Sequence, residues 1–194
     1  MVLKPQDLLI ALKLAALRLS DGHDIANPMA EVVDEPQRPM GIDWSYRSLA
    51  DELDISVSEI SATIRRGLAA RLLVKTDASS KPQPMFQSLR EFCIHGVKYV
   101  YAAEKGEPTR GILTAYAAPV LQDKLVETDE LVPVWPYARG AVRGYSLMPI
   151  YPSVPVAAAR DPVLYDLLAL LDAMRVGRAH ERSMAEKLFG EMLK

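Results

Sequence analysis

Apolar residues recur at Leu8, Leu12, Ala15 and Leu19, again at Leu9 and Ala16, and again at Ile10, Leu14 and Leu17. Spacings of three and four predict a helix over Pro5 to Leu19 with little polar surface, which requires cover on several sides. From Ser20 to Gly41 the periodicity is lost among Gly22, Pro28, Pro36, Pro39 and Gly41, so residues 20–41 read as a long loop excursion. The pattern resumes near Ile42. A short helix over Tyr46 to Leu53 turns Leu49, Ala50 and Leu53 inward, and Asp54, Ile55 and Ser56 form a turn with Ile55 as its apolar plug. Ser56 then caps a second helix, with Glu59 completing a capping box. Along that helix Val57, Ile60, Ile64 and Leu68 face the core, while Ser58, Ser61, Ala62, Arg65 and Arg66 lie outside it.

A further helix is predicted over 88–103, with Leu89, Phe92, Cys93, Gly96 and Val100 on one face and Ile94, Val97 and Tyr101 on the next. Over 104–160 prolines punctuate the chain, and Tyr116, Trp135, Tyr137, Tyr145 and Tyr151 are scattered through it. Proline excludes long helices, and so many aromatics exclude a disordered linker. An ordered, extended arm is expected. Asp161 and Pro162 open a helix as N-cap and first residue, with Leu164, Leu167, Leu168, Leu171 and Met174 as its buried stripe. Gly177 ends it, and Met184, Leu188 and Met192 carry helical spacing to the C-terminus, where Arg182 and Glu186 pair at i, i+4.

The 194 residues are 49% hydrophobic and 25% charged, within the range of a globular chain that buries its own core. Cys93 is the one cysteine, so no disulfide framework forms within the chain and a reducing, cytoplasmic setting is expected. Lys13 and Arg18 interrupt the longest apolar stretch, which is too short for a membrane span and too charged for a signal peptide. The net charge of −2 is unevenly spread. Arg65, Arg66, Arg71, Lys75 and Lys81 face only Asp77 between Ile60 and Lys81, whereas Asp21, Asp24, Glu31, Asp34, Glu35 and Asp43 face only Arg38 before it.

Catalytic and metal chemistry find no pattern to rest on. His23, His95 and His180 are far apart, and Cys93 and His95 point to opposite sides of a helix, so Cys93 reads as a buried core residue. Neither a nucleophile elbow nor a P-loop is present, and Gly140 and Gly144 beside Arg143 read as turn glycines. Asp123 with Glu127, and Asp129 with Glu130, read as solvated loop charge rather than an acid–base pair. No enzyme activity, metal or cofactor is expected.

The segment from Trp44 to Leu73 resembles the winged helix-turn-helix superfamily of bacterial transcriptional regulators, in the style of its MarR-like or Lrp-like DNA-binding domains. The resemblance rests on Leu49-Ala50 in the first helix, Ile55-Ser56 at the turn, Ile60-Ser61 in the second helix and Ala70-Arg71-Leu72-Leu73 beyond it, and covers the N-terminal half. It implies a three-helix core with a β-hairpin wing, a winged helix-turn-helix domain over 1–103; with the extended arm over 104–160 and a C-terminal helical segment over 161–194 for dimerisation or partner binding, the expected fold is mainly α. It also implies a homodimer on double-stranded DNA. A small β-hairpin wing is expected from Leu72–Thr76 and Met85–Gln87, its tip at Asp77–Pro84, made short or irregular by Pro82 and Pro84. The DNA-binding candidates are Arg47, Ser56, Ser58, Ser61, Ala62, Arg65, Arg66, Lys75 and Lys81. Small polar residues early in a helix and arginines later suit base edges and phosphates.

Arg110, Trp135, Arg139, Arg143 and Tyr145 form a second candidate set, suited to another protein, an anionic ligand or nucleic acid. The alternative for their segment is a seal over the flanking helices. The expected function is thus a dimeric transcriptional repressor or autoregulator. The competing expectation is an antitoxin-type module that neutralises a partner encoded nearby through its C-terminal half and autoregulates through the winged helix.

Overall fold

The computed structural model describes residues 2–20, 44–77, 80–122 and 131–194, and the fold is mainly α with small sheets. The acidic excursion expected over 20–41 lies, Ser20 apart, outside the described residues. Helix α1 (Pro5–Leu19) opens with proline at its start, and Asp7 accepts the Lys4 N–H at 2.8 Å. Its residues from Asp7 to Leu17 are all buried, as an apolar surface on every side requires.

Helix α2 (Tyr46–Leu53) is fixed at its entry by a reciprocal pair: Ser45 Oγ accepts the Ser48 N–H at 3.0 Å, and Ser48 Oγ accepts the Ser45 N–H at 2.7 Å. Asp54 ends it in the left-handed region at φ 52°, a conformation Asp tolerates better than most residues, and Ile55 drops into the core. Helix α3 (Val57–Ala69) follows at once, capped by Ser56. Val57, expected on the core side, is instead exposed, and Thr63 and Gly67 join Ile60 and Ile64 in the buried stripe. Strands β1 (Leu73–Val74) and β2 (Gln83–Pro84) form a minimal antiparallel pair, Leu73 opposite Pro84 and Val74 opposite Gln83. The return strand expected at Met85–Gln87 falls earlier. Pro84 offers no N–H to extend the ladder, and Met85 already serves as N-cap of helix α4 (Phe86–His95). The single helix expected over 88–103 is divided at Gly96 into α4 and the short α5 (Val97–Val100). Cys93 is buried and free, and desolvation pushes its thiol well above the usual range.

The described residues of 104–160, expected as an extended arm packed on its own domain or on a partner, form a small sheet packed on the helices. Strand β3 (Lys105–Leu113) pairs antiparallel with both β4 (Pro133–Pro136) and β5 (Val142–Leu147), and β4 and β5 pair in parallel. Each strand therefore pairs with the other two, closing a three-stranded barrel. Between β3 and β4 lie a 3₁₀ turn at Ala115–Ala117 and the short helix α6 (Pro119–Gln122). The strands approach closely at their glycines. A Cβ on Gly111 would collide with the Trp135 carbonyl, and one on Gly144 with the Val132 carbonyl. Gly144, read from sequence as a turn glycine, thus lies within β5 and together with Gly111 lets the strands touch. Gly111→Ala is expected to destabilise the chain by about 1–3 kcal/mol through forced strand separation, seen as a lowered melting temperature.

After helix α7 (Val154–Arg160), Asp161 Oδ1 accepts the Leu164 N–H at 2.9 Å and caps helix α8 (Pro162–Val176), as expected. Gly177 ends α8, and helix α9 (Ala179–Met192) packs back on it. Helix α8 is nearly as apolar all round as α1. One core contains both helices together with α2, α3, α4 and the inner side of the barrel. The barrel is pinned to α8 by buried Asp172, which accepts Trp135 Nε1–H at 2.6 Å and Thr114 Oγ1–H at 3.0 Å and pairs with Arg175. Burial pushes the Asp172 carboxyl above its usual range, opposed by Arg175, Trp135 and Thr114. Tyr165 Oη donates to the Leu113 carbonyl at 2.8 Å and adds a second tie. The described part of this segment therefore covers α8, whose residues, expected as a buried stripe, are core.

Candidate nucleic-acid interface

Helix α3 has two sides with opposite duties. Its inner side packs Ile60, Thr63, Ile64 and Gly67 against α1, α2 and β1. One polar device locks it there. Arg66 Nε donates to Asp7 Oδ2 at 2.8 Å, and its Nη2 lies 2.7 Å from Asp7 Oδ1 and 2.6 Å from Glu59 Oε1 and donates to Thr63 Oγ1 at 2.9 Å. Asp7 is fully buried and the Arg66 side chain is only 13% exposed. The two carboxylates hold the guanidinium protonated beyond its ordinary range. Hydrogen bonds from Arg66 and then Gln6 hold the Glu59 carboxyl below its own. Arg66, expected among the DNA contacts, is thus consumed in joining α3 to the start of α1. The capping box expected at Ser56 is likewise half formed: Ser56 Oγ accepts the Glu59 N–H at 3.3 Å, while the Glu59 carboxylate turns to Arg66.

The outer side of α3 is open. Ser56, Val57, Ser58 and Arg65 are exposed, with Ser61 and Ala62 half-buried between them, so the first two turns present small side chains and the third a cation. Ser56 Oγ and Ser58 Oγ share a hydrogen bond at 3.1 Å. Arg47 is exposed on α2, Lys75 half-buried just past β1, and Lys81 exposed just before β2, its Nζ 5.8 Å from the centre of the buried Trp44 ring. Arg71, in the left-handed region at φ 58°, adds another exposed cation where α3 runs into β1. Asp51 and Asp54 lie exposed on the α2 side.

Beside the turn between α2 and α3 lies an open cleft of about 670 Å³, lined by Asp51, Asp54, Ser56 and Arg160 among others. Arg160 comes from α7, and its guanidinium reaches the Asp51 and Glu52 carbonyls at 3.4 and 3.5 Å, extending positive charge to the end of α2. Sequence reasoning missed this residue. It lies 109 positions from Asp51, and no local pattern marks it.

The second candidate set is divided. Trp135 and Tyr145 are buried at 1% and 8% exposure and serve the barrel and its attachment, so they are not surface anchors. Arg110 and Arg143 are exposed and directly opposite one another across β3 and β5. Arg139 is exposed over the Tyr137 ring at 5.9 Å. No cluster of metal-ligating side chains occurs among the described residues, and no helix among them is long and apolar enough to cross a membrane. Comparison with protein-family models, with curated proteins and with solved structures gives no match for this chain.

Proposed function

We propose that this chain is a sequence-specific DNA-binding transcriptional regulator of the winged-helix type, acting as a homodimer with α3 as its recognition helix and the β1–β2 hairpin as a much-reduced wing. The observation that carries the reading is the division of α3. Its inner side is locked by Arg66, while Ser58, Ser61, Ala62 and Arg65 are left open on the other. Small side chains let the helix approach base edges closely, and Arg65 supplies a guanine or phosphate contact. Arg47, Arg71 and Lys81 flank it as phosphate contacts, with Lys75 beside them. The competing antitoxin reading needs a free arm to wrap its partner, and the described residues of 108–155 are instead committed to the barrel and the cover of α8.

The test is selection from a random duplex library at low salt, followed by a salt titration of the enriched sequence. Wild-type protein is expected to enrich a two-fold symmetric site. Arg65→Ala is expected to cost about 1–3 kcal/mol of binding if it reads a base, or to reduce the salt slope by about one if it contacts phosphate. No enrichment and no binding at low salt would overturn the reading.

A further inference from the structure

The barrel carries an excess of exposed cations. Its described strands and the β4–β5 connection hold Lys105, Arg110, Arg139 and Arg143 against Glu107 alone, in a chain whose net charge is −2. Arg110 and Arg143 occupy one register position of the antiparallel β3–β5 pair. Like charges directly opposite across a ladder are destabilising. Neither arginine has an ion-pair partner among the described residues. Lys105 lies over the buried Tyr145 ring at 4.6 Å on the same two strands.

We propose that this face of the barrel is a second nucleic-acid contact, in which Arg110 and Arg143 neutralise neighbouring phosphates of a duplex backbone. The proposal rests on the DNA-binding reading of α3 and extends it to an element with no helix-turn-helix character. Each strand pairs with the other two over part of its length, and the charged groups this face offers are the exposed side chains of Arg110 and Arg143. Cations repeated along two strands match a repeating anion better than a single carboxylate, and the planar guanidinium matches phosphate. Phosphate contacts fix position without reading sequence, so the contact adds affinity without sequence preference.

The experiment compares wild-type protein with an Arg110→Gln, Arg143→Gln double variant and with Arg65→Ala, on one short duplex from about 50 to 200 mM salt. The double variant is expected to lose about 1.8 from the slope of log affinity against log salt, so that its deficit shrinks roughly tenfold across that range. Its melting temperature is expected to be unchanged or raised, because a like-charge pair has been removed. An unchanged slope in the double variant, with Arg65→Ala still impaired, overturns the barrel contact and leaves the α3 reading standing. Absence of duplex binding by the wild type removes both. If the slope is unchanged but an acidic peptide binds the wild type and not the double variant, the surface serves a protein and the proposal is overturned. A lowered melting temperature also overturns it, by marking the arginines as structural.

Discussion

Arg66→Ala is expected to lower unfolding stability by about 3–5 kcal/mol, although the neighbouring Arg65→Ala should change it by no more than about 0.5 kcal/mol. The adjacent arginines point to different surroundings. Arg65 is exposed, whereas Arg66 neutralises Asp7, whose side chain is fully buried at the start of α1. Removing the guanidinium leaves that carboxylate without a countercharge where water cannot reach it, and Glu59 and Thr63 lose a donor with it. Urea unfolding of the two single variants is the measurement. Adding Asp7→Asn to Arg66→Ala should recover part of the loss, because it removes the stranded charge. On DNA the order reverses: Arg65→Ala weakens binding with the fold intact, and Arg66→Ala acts only through the fraction unfolded. Undiminished stability of Arg66→Ala together with weakened DNA binding would return Arg66 to the interface.

Lys13→Met is expected to cost at least as much, about 3–5 kcal/mol, despite placing an apolar side chain in an apolar helix. Lys13 Nζ lies 2.8 Å from Glu52 Oε2 and 2.7 Å from Asp161 Oδ2, with the lysine side chain 3% exposed. It bridges a carboxylate of α2 and the N-cap of α8. Without it two buried carboxylates face each other, and the cap that opens α8 is left beside uncompensated negative charge. Glu52→Gln combined with Lys13→Met should restore part of the stability in the same urea titration. A Lys13→Met chain as stable as wild type would show that the three charges are solvated rather than a closed cluster.

The helix boundaries were legible because their signals are local. Ser56, Asp161 and Gly177 act within a turn of where they stand, and α1, α2, α3 and α8 lie where periodicity and caps place them. The hairpin slipped because Pro84, placed from sequence in the tip, is instead the last residue of the return strand. The barrel was not legible at all. Prolines and aromatics over 104–160 specify order, but the closure of β3, β4 and β5 depends on strands meeting at Gly111 and Gly144, and contacts between distant segments leave no period in the chain. The candidate site was legible in outline, since the exposed face of α3 follows from helical spacing alone. Which cations remain free on it was not.

Sequence by itself determined that residues 5–19 form a helix too apolar to stand alone, and it marked Lys13 as a charge interrupting that surface. Only the tertiary structure decided what the charge is for, by bringing Asp161 to it from 148 positions away and Glu52 from another helix. The physical reason is the same for Arg66 and Asp7, 59 positions apart. Hydrophobic periodicity is written along the chain and survives without the fold, whereas the pairing of a buried charge exists only once the core has closed around it.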